Sequence, residues 1–249
     1  MKTRKKQPKI LILDIESSFS QLAVFTLKPQ WHNHSNILDE WWIHCAAWKW
    51  LGDDKIHSVK TYRKGCDKSI VTKLKKLLEQ ADVVVGHNTD RFDLKKINAR
   101  LLYHGLKPLV IPQSVDTLKV ARKHFMLTSN KLDYIANYLG VGGKMTTRPN
   151  LWMRTLKGDK KAIDEMVKYN KQDIVIQEKV FLKLRPFTAL PNMNAWSDRQ
   201  GLVCKSCGSD KLKSHGIVRT KTSAYRRFMC LRCGTVTRSR KAEETFDGR

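Results

Sequence analysis

The spacing of apolar positions changes period several times along the chain, and each change marks an element. Lys9 to Ile15 is a short Ile- and Leu-rich run that predicts a buried strand. A second strand fits Gln21 to Leu27, and residues 29–35 (PQWHNHS) a loop. From Asp39 to Trp50 the apolar residues fall on both faces of an alternating run. Trp41, Ile43, Cys45 and Ala47 share one face; Trp42, Ala46, Trp48 and Trp50 share the other. That pattern suits a strand covered on both sides. The tryptophans then belong to the core, although such side chains can also stack on bases.

Lys55 to Tyr62 predicts a further strand, after which the period becomes helical. Ser69 to Gln80 places Ile70, Val71, Leu74, Leu77 and Leu78 on one face and lysines on the other. Asp82 to Gly86 (DVVVG) reads as a buried strand. Asp90 to Tyr103 reads as a helix with Asp90 as its cap and Leu94, Ile97, Leu101 and Leu102 as its stripe. Leu109 to Val115 predicts a strand and Asp116 to Phe125 a helix. Asn130 caps a helix through Tyr138 that Gly140 stops. Asp159 to Leu184 is a long helix ended by Pro186. Strands followed by alternating helices and strands predict an α/β layer fold, without internal repeat.

At Pro186 the periodicity stops. The chain therefore divides into a basic arm (1–8), a main domain (9–185), a linker (186–197), a small second unit (198–240) and a tail (241–249). The 249 residues are 41% hydrophobic, enough for a real core and too much for wholesale disorder. No apolar run approaches the roughly 18 residues of a membrane helix. The basic start is followed by too short an apolar stretch for a signal peptide. The expectation is a soluble, cytoplasmic protein with no membrane partner.

Charge narrows the partner. With 48 Lys+Arg against 23 Asp+Glu the net charge is +25. Such an excess neutralises phosphates and releases counterions, which points to nucleic acid ahead of a merely solvated basic surface.

Against that basic background a few acids stand out. Asp14 and Glu16 end the first strand, and their i, i+2 spacing puts both on one face. Like charges this close repel, so a cation is the natural compensation; strand-end solvation is the plain alternative. The strand Val83–Val85 ends at Gly86 and leads through His87, Asn88 and Phe92 to Asp93, at the carboxyl end where α/β sheets place their sites. Asp93 could equally serve only the helix dipole. Tyr169 and Asp173, four apart, stack on one face of the long helix, about 6 Å apart along its axis.

In this order and spacing the residues resemble the DEDD superfamily of 3′–5′ exonucleases. The first family motif, D-x-E, is Asp14-Ile15-Glu16. The second, an Asn followed by an aromatic–Asp pair, is Asn88 with Phe92-Asp93. The third, Y-x-x-x-D, is Tyr169 with Asp173. Lys168 stands where the His-type subfamily has His, so the chain looks like the Tyr-type, DEDDy. Val115-Asp116-Thr117-Leu118 and Lys131-Leu132-Asp133 also look like the family's connecting segments. The resemblance covers residues 9–185. It implies a ribonuclease H-like mixed sheet flanked by helices, and a two-metal mechanism with Mg²⁺ or Mn²⁺. By analogy Asp14 bridges both ions, Glu16 and Asp173 complete the nucleophile-side site, and Asp93 holds the second ion. Tyr169 orients the attacking water, because its unperturbed pKa near 10 makes it a poor base. His87 and Asn88 would touch the substrate strand or serve structural hydrogen bonding. The product implied is a nucleoside 5′-monophosphate.

Near the C-terminus Cys204-x-x-Cys207 and Cys230-x-x-Cys233 are each followed by a glycine. Such turns point two thiolates at one tetrahedral ion. The pattern resembles a zinc ribbon with one structural Zn²⁺, strands at Ile217 to Thr220 and Arg226 to Met229, and His215 as a spare ligand. A redox role is the alternative. Cys45 and Cys66 are left as ordinary thiols. Ser197 onward carries a net charge of +8, and Arg219, Lys221, Tyr225, Arg226 and Arg227 mix cations with an aromatic as nucleic-acid contacts do.

The leading expectation is a 3′–5′ exonuclease acting on DNA, with single-stranded 3′ ends as substrate, in replication, proofreading or repair. An exoribonuclease with the same site is the second reading, and a non-catalytic zinc-ribbon adaptor the third. The whole arrangement also looks like exonucleases encoded by bacteriophages, which would act in the host cytoplasm. Residues 9–185 hold only the nuclease fold, so proofreading would need a polymerase supplied by another chain.

Overall fold

The computed structural model describes residues 7–26, 31–143, 149–197 and 202–246. Residues 1–6 of the expected arm, Leu27, loop residues Pro29 and Gln30, residues 198–201 at the start of the second unit and the last three tail residues lie outside that description.

The chain opens with β1 (Ile10–Ser17), the short β2 (Gln21–Leu22) and β3 (Ile37–Asp39), then β4 (Ile43–Trp50) and β5 (His57–Lys60). Next come α1 (Lys68–Gln80), β6 (Val83–Gly86), α2 (Asp93–Tyr103) and β7 (Gln113–Asp116). Four helices follow: α3 (Thr117–His124), α4 (Leu132–Tyr138), α5 (Leu151–Leu156) and α6 (Lys160–Thr188). The main sheet runs β5-β4-β1-β6-β7. β4 is antiparallel to both its neighbours, whereas β1, β6 and β7 are parallel. This is the mixed sheet flanked by helices that the motifs implied.

β1 is central because its alternate residues can be buried on both sides. Ile10 and Ile12 join Val83, Val85, Ile174 and Phe181 under α6; Leu11, Leu13 and Ile15 join Leu74, Ile97 and Leu101 under α1 and α2. Burying each such side chain contributes roughly 1.5–3 kcal/mol. Asp14 and Glu16 continue the face of Ile10 and Ile12, so the strand's alternation delivers both carboxylates to α6.

The expected elements are present with shifted bounds. The second strand keeps only Gln21 and Leu22, and the expected loop ends in a 3₁₀ turn, His34–Asn36. The run Asp39 to Trp50 is divided between β3 and β4. A bulge opposite Glu16/Ser17 moves Ile43 to the face of Ala46 and Trp48, away from Cys45 and Ala47. Asp90 does not cap α2. It pairs with Lys119 (2.6 Å), and Phe92 takes the N-cap position. Leu102 is exposed, and Arg100 takes the inward position. The strand expected at Leu109 starts only at Gln113, and Lys131 rather than Asn130 stands before α4. Helix α5 had no expected counterpart, since six residues are too few to show a period. Pro186 does not end α6. The helix closes at Ala189, with φ 52°, because Leu184 and Arg185 are still held in buried packing. The Pro186 carbonyl accepts a hydrogen bond from Thr235 Oγ1 (3.1 Å), which satisfies one of the helix's terminal acceptors. Among the described residues, no helix is long and apolar enough to cross a membrane.

The C-terminal unit is built on β8 (Leu212–Arg219), β9 (Ser223–Cys230), β10 (Val236–Arg238) and β11 (Glu244–Thr245). β9 pairs antiparallel with the other three. Both expected ribbon strands are longer than predicted, and the tail contributes β11.

One buried ionic cluster fastens α1, α2 and β4. Asp67 is fully buried. It accepts two hydrogen bonds of 2.7 Å from Arg100 and one of 2.9 Å from the Ile43 N–H, and contacts His104 Nε2 at 2.6 Å. Burial alone would raise the Asp67 pKa, but the Arg100 guanidinium and these hydrogen bonds hold it below the ordinary value. Arg100→Ala strands the carboxylate, so a loss of about 3–5 kcal/mol is expected in urea unfolding at pH 7. A depressed carboxylate stabilises above its unfolded pKa of about 3.9. The difference from the parent protein should therefore persist down to that pH and fade as pH falls through the lower folded value.

Candidate active site

The carboxyl ends of β1 and β6 and the middle of α6 meet at one place. Ligand atoms of Asp14, Glu16 and Asp173 all lie within 4.8 Å of one another. Asp93, the first residue of α2, is buried beside them and accepts a hydrogen bond from the Ile15 N–H (3.0 Å). The close approach of β6 to β1 depends on Gly86. A Cβ there would lie 2.6 Å from the Thr89 side chain and 3.2 Å from the Leu13 carbonyl. The turn that follows is pinned by Asp116, which accepts from the N–H groups of Asn88 (2.9 Å) and Asp90 (3.3 Å) and caps α3. Asn88 sits there with φ 65°.

The electrostatics of the cluster are adverse. Desolvation, followed by the charges of Asp93, Glu16 and Asp173, drives the Asp14 pKa well above the ordinary carboxylate range, and Gln177 offsets this in part. Asp93 is raised to about 7, chiefly by burial, with the Ile15 N–H holding it back. Tyr169 is buried, with its ring edge-on to Trp152 at 5.8 Å. Burial, and after it Asp173 and Glu16, push the phenol far above its usual pKa, and it hydrogen-bonds Asp173. The group is thus a donor and not a base.

Asp14, Glu16 and Asp173, three converging carboxylates with hard oxygen donors, fit a divalent cation such as Mg²⁺ or Mn²⁺; Asp93 lies beside them without joining that set. Two buried amide oxygens beside Asp14, Asn170 Oδ1 and Gln177 Oε1, have no protein partner. Their amide nitrogens donate to Asp14. Sequence reasoning missed both residues. Their spacing on α6 was visible, but polar residues on a helix carry no signal of what they face.

Two concavities flank the carboxylates. A groove of about 690 Å³ runs past Tyr169, Asp173, His87 and Asn88 to Arg122 and Lys131. A second, of about 340 Å³, is walled by Glu16, Phe92, Trp41 and Trp152, with Lys96 inside. Lys96 Nζ lies 3.9 Å from the Trp41 ring centroid and 5.0 Å from that of Phe92. The His87 ring is committed to Thr117 Oγ1 (2.9 Å) and the Asn130 carbonyl (3.0 Å), so of its two expected roles the structural one is in place.

The four ribbon cysteines also converge. Cys204 and Cys233 sulfurs are 3.5 Å apart, and those of Cys207 and Cys230 3.6 Å. A tetrahedron on ~2.3 Å Zn–S bonds has edges of about 3.8 Å, so the set fits Zn²⁺. Gly208 and Gly234, with φ 73° and 74°, close the two knuckles. His215 is exposed on β8 and not part of this cluster. Although burial opposes it, hydrogen bonding with Thr235, Cys207 and Cys204 brings Cys233 down to about 7; Cys204 and Cys207 are raised, first by burial. Arg185, buried at the end of α6, feels the charge of Cys207, Cys233 and Cys204. The Met193 N–H donates to the Lys205 carbonyl (2.8 Å), a further tie between this unit and the segment after α6. Of the expected contact residues, Arg219 and Lys221 are exposed near the β8–β9 turn. Arg226 is instead paired with Glu243 (3.1 Å), and Arg238 covers the Tyr225 ring at 4.1 Å. Arg227 is half-buried, with its Nε unpartnered.

A family model described as the RNase_H superfamily matches residues 43–185, more than half of the chain; β1, with Asp14 and Glu16, precedes the matched part. Among solved structures, the family B DNA polymerase from the hyperthermophilic archaeon Pyrobaculum calidifontis is similar, with a TM-score of 0.56 and 18% identity. The match covers 72% of this chain and 25% of that one, so the chain spans about a quarter of the polymerase. At that identity the likeness concerns the fold. No curated protein matches in sequence.

Repulsion within the cluster gives a stability prediction. A carboxylate whose folded pKa is raised above the unfolded value destabilises increasingly as pH rises through that range. Asp173→Asn removes one of the charges raising Asp14, so metal-free protein should gain about 1 kcal/mol at pH 8. Thermal unfolding in EDTA should show the gain shrinking toward pH 4.

Proposed function

The chain belongs to the RNase_H superfamily, and from that premise we propose that it is a metal-dependent 3′–5′ exonuclease of the DEDDy type. Its substrate on this reading is DNA with single-stranded 3′ ends, and its products are nucleoside 5′-monophosphates. The carrying observation is the convergence of Asp14, Glu16 and Asp173, from the first strand and the last long helix, with Asp93 and the Tyr169 phenol beside them.

Asp14, Glu16, Asp93 and Asp173 would hold two Mg²⁺ or Mn²⁺ ions. When bound, such ions activate a water and stabilise the leaving 3′-oxygen. The remaining work falls to the chain. Tyr169, kept protonated by burial, gives its one proton to Asp173, and its oxygen orients the water by accepting a hydrogen bond from it. Asn88, Phe92 and the two flanking concavities give a nucleotide strand a path across the carboxylates, with Lys96, seated on the Phe92 and Trp41 rings, placed to meet a phosphate. The excess of +25 draws the polyanion in. The Cys₄ centre holds one structural Zn²⁺ in a ribbon spanning 198–240. Its exposed cations, Arg219 and Lys221, reach for the strand, and Arg226, Arg227 and Tyr225 shape the same surface. The nuclease proper follows a basic arm (1–8) and runs from residue 9 through α6, which ends at Thr188; the segment after it connects to the ribbon, whose sheet β11 (Glu244–Thr245) completes. The similarity to a family B DNA polymerase supports a place in replication, proofreading or repair beside a polymerase.

Digestion of 5′-labelled DNA and RNA strands on denaturing gels, with Mg²⁺ or Mn²⁺, tests this. Expected are ladders that shorten from the 3′ end of DNA. Asp14→Ala and Asp173→Ala should each slow them about a thousandfold, or ~4 kcal/mol, while binding is kept. Undiminished cleavage by both variants overturns the site, and equal digestion of RNA overturns the DNA preference. DNA affinity should fall steeply with added salt; a flat dependence contradicts the role given to the charge. Native mass spectrometry should find one zinc per chain, lost in Cys230→Ser.

A further inference from the structure

Asp14 is the most crowded of the acids, yet both its oxygens are occupied. Asn170 Nδ2 donates to Oδ2 at 2.6 Å, and Gln177 Nε2 donates to Oδ1 at 2.9 Å. Both donors are essentially inaccessible to solvent, at 0% and 1% exposure. They lie seven residues apart, two turns of α6, on the face that also carries Asp173. The helix therefore grips the strand carboxylate from two sides while presenting its own carboxylate between the two grips. Each amide turns its nitrogen toward the carboxyl group, the arrangement that favours the charged form of Asp14.

The grip has a cost. Asn170 Oδ1 and Gln177 Oε1 are buried with no hydrogen-bond partner, and an unmet buried acceptor is destabilising. Mere packing between α6 and β1 would be served better by apolar side chains of the same size. Two amides that each spend one end on Asp14 and leave the other unmet make sense where a donor arrives later, such as a water in the shell of a bound cation.

Resting on the nuclease reading above, we propose that Asn170 and Gln177 are positioning residues for the cation site. They fix the Asp14 carboxylate and partly neutralise it, so that the acids stay gathered before a cation binds, and they thereby set the site's affinity for it. Neither residue touches the reacting atoms.

The test measures Mn²⁺ binding directly on zinc-loaded protein, by the loss of the free-ion EPR signal. It compares the parent with Asn170→Leu, Gln177→Met and Asp14→Asn. Both apolar variants keep size and burial. Each should weaken Mn²⁺ binding about tenfold. Digestion should recover when Mn²⁺ is raised, and binding of 3′-ended DNA to zinc-loaded protein without added Mn²⁺ or Mg²⁺ should not change. Unchanged Mn²⁺ affinity in the two apolar variants, with Asp14→Asn deficient, overturns this inference and leaves the metal site standing. Unchanged affinity in Asp14→Asn overturns the metal site itself. Should an apolar variant not fold, Asn170→Ala and Gln177→Ala take its place in the same Mn²⁺ titration: a tenfold loss supports the positioning role, and unchanged affinity overturns it.

Discussion

Gathering like charges at the end of a buried strand is the constraint around which the molecule is arranged. Asp14 and Glu16 share a face because strands alternate, and Asp173 comes to meet them only because α6 crosses that face. Each neighbouring element reduces the resulting repulsion in a different way. The Ile15 N–H steadies Asp93, two amides steady Asp14, and the Tyr169 phenol donates to Asp173. Gly86 leaves room for Thr89 in the tight turn that leads from β6 to Asp93 on α2.

The same chain shows how it treats a buried carboxylate that has no further task. Asp67 receives a bidentate guanidinium, a backbone N–H and a histidine, and its pKa falls. Asp14 and Asp93 are raised, and neither makes a salt bridge among the described residues. A protein with 48 Lys and Arg residues has cations to spare. These two acids meet neutral donors and no cation, which leaves their charge uncompensated by the chain, and perturbed acids of this kind mark sites.

Much of this was legible from residue order. The strand alternation at Asp14 and Glu16, and the four-residue step from Tyr169 to Asp173, are local geometry and survive folding unchanged. The paired C-x-x-C turns are local in the same sense. What sequence did not reveal depends on contacts distant in the chain. Asn170 and Gln177 reach Asp14 across more than 150 residues, and Asp67 finds Arg100 across 33. Pro186 reads as a helix stop, yet tertiary packing at Leu184 and Arg185 carries α6 past it. Arg226 reads as a free cation until Glu243 folds back onto it.

Helix α6 carries Tyr169, Asn170, Asp173 and Gln177 near its middle and Arg185 against the sulfur cluster near its end. Twelve residues separate Asp173 from Arg185, about 18 Å of continuous helix. The two metal-fitting centres therefore share one axle. Adding or deleting a single residue between them would turn Arg185 and the end of the helix about 100° relative to Asp173. Spacing along this segment therefore fixes which side of the helix end meets the ribbon, a quantity that no single ligand carries.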